Sequence, residues 1–378
     1  MHKLATFLLT CFTVSFAYAQ TVKELYNENK YDELVKYEQK ADALTGEELY
    51  MVGLAFYERQ NDEKAIEFYD KAIAKGIEGG NVYFYKAISL CYMKKYDEAM
   101  KAVDISLEKE PENQLFMNQK GLIYRYQGNE DKALAFFEKA TKMPNISGEP
   151  FFWIGYIYHG KQDFTKALKC YYVAADSISR NNYYYGETFK SIGQLEFSFT
   201  KNYAKSASAY VQAIEADPEN YELYYKLMKS YNAAKQYTQA DSVFAVVKAA
   251  FEQGKLPKED MEIKTVAVAQ FDWNGQSAVV RRSLVDPKES LDVSYKVFLL
   301  GKNGSGIERR FLVEKTIQFE KDGAKHLLCE QDKKTGDHLT YPYGWSTDAI
   351  PLEDLEKAVK LVLDGKMTYS AKSNFGNK

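Results

Sequence analysis

From Thr21 to about Phe251 the apolar residues recur with a period near that of an α-helix, interrupted by short polar turns such as Gln127 to Glu130. Beyond Gly254 and Pro257 the spacing changes to a period of two: Leu291, Val293, Tyr295, Val297 and Leu299 alternate with Asp292, Ser294 and Lys296, as in a half-buried strand. Asn303-Gly304 and Asp322-Gly323 predict hairpin turns linking that strand to Glu308–Phe319 and to Lys325–Glu330. Further strands are expected at Thr265–Trp273 and Ser277–Leu284. A helix should follow Pro351, with Leu352, Leu355, Val359 and Val362 on one face, Glu356 and Lys360 as a favourable pair, and Gly365 as its stop.

A longer period lies over the helical one. Gly53, Ala87, Gly121 and Gly155 stand at intervals of 34 residues, each followed twelve residues later by an alanine, Ala65, Ala99, Ala133 and Ala167. Seven residues further on come Ala72, Ser106, Ala140 and Ala174, and Pro111 and Pro218 close two of the units. Small residues recur where one helix must approach another closely, and rings fill the complementary holes: Tyr57, Tyr124 and Tyr158 in the first helices, Tyr69, Phe137, Tyr171, Tyr210 and Phe244 in the second. In this the chain resembles the tetratricopeptide repeat (TPR) family, in which two antiparallel helices per unit stack into a superhelix. The expected fold is therefore an α-helical TPR superhelix, or solenoid, followed by a smaller α+β domain with an antiparallel sheet and a terminal helix. No family is recognised for residues 262–378.

Following the period along the chain sets the expected domains. Residues 20–256 make about six repeat units, 257–261 a linker and 262–378 the α+β domain. The opening unit is irregular, although Tyr31, Asp32 and Glu33 echo Tyr96, Asp97 and Glu98. About four residues are inserted near 179–185, because Gly193 falls 38 residues after Gly155, and one more is added near Lys201.

Residues 1–19 read as a signal peptide: Lys3, an apolar run from Leu4 to Phe16, then Ala17-Tyr18-Ala19 before Gln20. The expected protein is exported, to the periplasm or the cell exterior, and at most peripheral to a membrane. Its net charge of −3 and mixed charges lack the basic footprint that tracks nucleic-acid phosphates. Outside the leader stand Cys91, Cys170 and Cys329, an odd, scattered set that does not form a disulfide framework.

The resemblance also implies a concave groove lined by the first helices. Carried over position by position, its wall consists of Tyr50, Tyr57, Phe84, Tyr92, Arg125, Tyr126, Phe152, Tyr156, His159, Lys190, Gln194, Phe197, Tyr225, Lys229 and Asn232. Tyrosine offers a flat apolar face and a polar tip, which suits a protein or peptide segment and, as the alternative, a glycan; rings filling a tightly wound throat are the bland reading. Where relatives grip a C-terminal carboxylate with lysine and asparagine, this chain has Tyr50, Leu54, Tyr85, Leu115 and Gln119, so that clamp is missing.

Catalytic and metal chemistry find little support. His159, His326 and His338 are far apart in sequence with no metal-ligand spacing, so neither a metal nor any other cofactor is expected. Gly301 to Gly306 lacks the Gly-Lys-Ser/Thr ending of a phosphate loop, and Gly344-Trp345-Ser346 lacks the second glycine of a nucleophile elbow. The aromatic set Trp273, Tyr341, Tyr343 and Trp345 is read as core, with a sticky patch as the alternative. A non-catalytic scaffold is the expectation, ahead of a glycan-handling component and of an enzyme within residues 262–378.

Overall fold

The computed structural model describes residues 20–144, 147–286, 293–304, 306–315, 326–347 and 350–373; the leader and the Asp322-Gly323 turn lie outside them. The chain divides into two compact units between Ile154 and Gly155.

The first unit opens with α1 (Val22–Asn27), α2 (Tyr31–Leu34) and a 3₁₀ stretch, Val35–Ala43, kinked at Lys40. Helix pairs follow: α3 (Gly46–Glu58) with α4 (Asp62–Ala74), α5 (Gly80–Tyr92) with α6 (Tyr96–Lys109), and α7 (Gln114–Tyr126) with α8 (Glu130–Ala140). The division falls within α9 (Glu149–Gly160). Beyond it come α10 (Phe164–Ser177), α11 (Tyr184–Ser198), α12 (Tyr203–Ala216), α13 (Tyr221–Ala233) and α14 (Tyr237–Glu252).

Each pair turns on one left-handed residue: Gln60, Lys94, Gly128, Gln162, Lys201 and Lys235 all have φ between 57° and 78°. Except at Lys201, the next residue's N–H returns to a carbonyl five back, as from Asn61 to Phe56 at 2.9 Å and from Asn129 to Tyr124 at 2.9 Å, closing the first helix. The side chains of Asn61, Asn129, Asp163 and Asn202 then cap the second helix by accepting an N–H three residues on. The turn residues keep the 34-residue step from Gln60 to Gln162 and then jump to Lys201, as the two insertions require. Most are not glycine, so composition does not mark the turn.

The glycines of the period are there for close approach. A Cβ on Gly53 would stand 2.6 Å from the Tyr69 ring, on Gly121 2.6 Å from Phe137, on Gly155 2.9 Å from Tyr171 and on Gly193 2.9 Å from Tyr210. In the pair where the small residue is Ala87, the ring is replaced by Val103, and both are buried in one cluster. The added methyl group and the smaller partner offset one another, so interior packing is preserved.

In the second unit a short helix, α15 (Lys258–Ile263), leads to a seven-stranded antiparallel sheet in chain order: β1 (Thr265–Trp273), β2 (Gln276–Ser283), β3 (Val293–Leu300), β4 (Ile307–Lys315), β5 (His326–Gln331), β6 (His338–Trp345) and β7 (Ala371–Ser373). The terminal helix, α16 (Leu352–Leu363), buries Leu355, Ala358, Val359 and Val362. Met228, Phe244, Val247 and Ala250 of the last helix pair enter the same core as Val280, Val297, Phe311 and Val313 of the sheet. β6 was not expected as a strand. It is the Tyr-Pro-Tyr-Gly-Trp run, whose Tyr341 and Trp345 are buried in this core while Tyr343 packs against it.

Candidate functional site

The expected wall residues of the first unit make ring contacts chiefly with aromatic residues just outside the wall. Tyr50 and Tyr57 converge on Tyr85, with ring centroids 6.3 and 5.7 Å away, and Tyr57 lies 6.4 Å from Tyr92. Tyr85, just outside the expected wall, is thus the hub of the ladder. It stands one residue after Phe84, whose own ring turns to Phe116 at 5.0 Å. The ladder ends on Tyr92, which is 64% exposed. Tyr126 stacks on Tyr96 at 6.0 Å and stays 43% exposed. Arg125 lays its guanidinium over the Trp153 ring, 4.6 Å from the centroid. Phe152 is buried against Trp153 and presents little surface.

Burial, reinforced by neighbouring tyrosines, pushes the Tyr50 and Tyr57 phenols well above their usual range. Cys91 is buried in α5, accepts a hydrogen bond from Gln119 at 3.5 Å, and has its thiol pushed up to about 12 by burial.

The wall residues of the second unit have different surroundings. Tyr156 is 44% exposed and Gln194 is also exposed. His159 contacts the rings of Phe164 and Tyr171 at 5.5 and 6.4 Å, and burial lowers its pKa. Lys190 pairs with Glu187 at 3.1 Å, and Phe197 packs on Tyr203 at 5.2 Å. In α13 the wall is taken by the chain itself. The Tyr225 hydroxyl donates to Asp260 at 2.7 Å, and the Asn232 amide donates to the Val268 carbonyl at 2.8 Å.

Convergent polar groups also lie elsewhere in the second unit. A cleft of about 530 Å³ opens where α13, β1 and α16 meet, floored by Ala269, Phe271, Val280 and Leu361. Two of its rim cations are paired, Lys235 with Glu353 at 3.1 Å and Lys360 with Glu356 at 2.6 Å. In the sheet, buried Glu314 lies 2.8 Å from His338 Nδ1, and both side chains are largely withdrawn from solvent. Burial raises the Glu314 carboxyl and pushes the adjacent Cys329 thiol up to about 12, which leaves the thiol protonated at neutral pH. Among the described residues, no group of three or more His, Cys, Asp and Glu is placed to hold a metal ion. No described helix is long and apolar enough to cross a membrane.

Residues 49–75 and 116–145 each match a family model described as tetratricopeptide repeat. A TPR repeat-containing protein of Methanocaldococcus jannaschii is 28% identical over 163 residues, 42% of this chain, and the match spans 27% of that relative's length. Among solved structures, the C-terminal part of a TPR repeat-containing protein from Cytophaga hutchinsonii is similar at 20% identity, covering 54% of this chain and 80% of that one with a TM-score of 0.42. MamA is similar at 21% identity over 42% of this chain and 95% of its own, TM-score 0.37. YrrB, described as a TPR protein with an unusual peptide-binding site, is similar at 17% identity over 57% and 98%, TM-score 0.35.

Proposed function

From a chain whose helical region belongs to the tetratricopeptide repeat family, we propose an exported, non-catalytic scaffold that holds a protein or peptide segment on the aromatic inner wall of its first unit. The observation that carries this reading is the tyrosine ladder from Tyr50 through Tyr85 and Tyr57 to the exposed Tyr92, with the Tyr96–Tyr126 stack beside it. Ring faces supply contact area at low entropic cost, and protonated hydroxyls donate to main-chain carbonyls. Support for export is the leader-like Lys3 to Ala19 segment; N-terminal sequencing of protein recovered from the cell envelope should begin at Gln20.

Binding is tested by selecting peptides from a displayed random library on the leader-free chain, then measuring affinities for Tyr92→Ala plus Tyr126→Ala. The expected result is an enriched peptide set whose affinity falls at least tenfold in the double variant. Failure to enrich any peptide, or equal affinity for both proteins, overturns the reading. A glycan array run alongside addresses the alternative ligand, and a sugar bound through the same tyrosines would replace the peptide.

A further inference from the structure

The sheet of the second unit is covered by helices on one face. α14 and α16 pack on the face carrying Val280, Val297, Phe311 and Val313. On the other face the register sets Ala267 opposite Arg281, Arg281 opposite Lys296 and Lys296 opposite Leu312; the neighbouring row is Gln270, Val279, Phe298 and Arg310. Two cations directly opposite each other on paired strands repel. Arg281 spends its donors on the Thr265 hydroxyl and carbonyl, at 3.0 and 2.5 Å, and reaches the Asp260 carboxylate only at 3.9 Å. That carboxylate already accepts from Tyr225. Lys296 makes no ion pair among the described residues.

Lys229, one helical turn beyond Tyr225, joins this group from α13. It is half-buried, has no carboxylate partner among the described residues, and has its pKa lowered by burial and, secondarily, by the positive charge of Lys226 and Arg281. Arg310, at the far side, lies over the Phe298 ring at 5.5 Å and bonds to the neutral Gln331. A chain of net charge −3 therefore gathers Lys229, Arg281, Lys296 and Arg310 around half-buried Val279 and Phe298. A partly desolvated, unpaired cation is costly unless an anion arrives.

We propose that the face of β1–β3 opposite α14 and α16, together with Lys229, docks an acidic, extended segment of a partner protein. Charge complementarity selects an acidic partner. The half-buried setting of Val279 and Phe298 favours a protein segment lying flat over a bilayer, which would need projecting apolar side chains to insert. Alternate carboxylates on an extended chain repeat about every 7 Å, within reach of long side chains on neighbouring strands about 5 Å apart. This surface shares no residue with the tyrosine ladder, so either assignment can fail alone.

The test uses the leader-free full chain and a labelled twelve-residue peptide of alternating glutamate and serine, read by fluorescence anisotropy. A lysine–serine peptide is the charge control, and vesicles containing phosphatidylglycerol are the membrane arm. Expected are binding of the glutamate peptide alone, a loss of at least tenfold in Lys229→Gln plus Lys296→Gln, and no vesicle co-sedimentation. Unfolding of the double variant at the same or a higher temperature separates lost binding from lost fold. No binding of the acidic peptide, equal binding by the double variant, or vesicle binding that the double variant loses would each overturn the proposal.

Discussion

Helices α7 and α13 occupy the same place in their repeats and put corresponding side chains to different uses. Arg125 of α7 lies over the Trp153 ring beside the exposed Tyr126, whereas Asn232, at the matching position of α13, bonds to the main chain of β1. Tyr225 and Lys229 of α13 likewise face the chain's own α15 and β2. The difference teaches that a repeat position fixes where a side chain points, while the segment that follows decides whether that direction leads to solvent or to the protein itself. The first unit keeps an aromatic wall; the last pair has become part of a sheet domain.

The largest expected effect tests whether the last pair and the sheet are one folding unit. Phe244→Ala removes a ring that is 7% exposed in the shared core and should cost about 3–5 kcal/mol. Helical circular dichroism and the fluorescence of Trp273 and Trp345 should then shift together in denaturant. Separate transitions, with only the helical signal moved, would break the comparison by making α13 and α14 an ordinary repeat.

A middle-sized effect concerns packing inside the first unit. Gly121→Ala drives a Cβ into the Phe137 ring and should cost about 1–3 kcal/mol. Phe137→Val in the same chain reproduces the Ala87–Val103 arrangement of the neighbouring pair, so the double variant should be more stable than the sum of the singles by about 1 kcal/mol or more. Chemical denaturation of the four proteins measures the coupling, and strict additivity would show that the two positions do not compensate.

The smallest effect comes from the turns. Lys94 holds φ at 60°, a conformation that glycine adopts freely, so Lys94→Gly should stabilise by about 0.5–1 kcal/mol. Lys235→Gly should gain less, because Lys235 also pairs with Glu353 across to α16 at 3.1 Å. Equal gains at the two turns would mean that the exposed pair contributes nothing.

Much of this architecture is legible along the chain. The glycine–ring contacts repeat with the sequence period because at Gly53, Gly121, Gly155 and Gly193 the facing ring leaves no room for a Cβ, and the insertions near 179–185 and at Lys201 shift the turn residues by the expected amount. β1 and α16 lie where alternation and amphipathic spacing place them. β6 was missed because Pro342 and Gly344 interrupt its alternation, and its pairing with β5 and β7 makes it a strand. The site was legible in part. Tyr92 and Tyr126 do reach the surface, while Tyr85 became the hub of the ladder through contacts no single-unit position foretells.

Sequence by itself therefore determined the elements set by local spacing: the helix pairs, their phase, the small-for-large packing within each, and most strands. Only tertiary structure decided which wall residues remain open, that Asn232 and Tyr225 hold the chain's own segments, and that Arg281 and Lys296 face each other across two strands. The physical reason is range. Periodicity records what a residue needs from neighbours within one repeat, whereas exposure and charge pairing depend on segments brought together from tens of residues away.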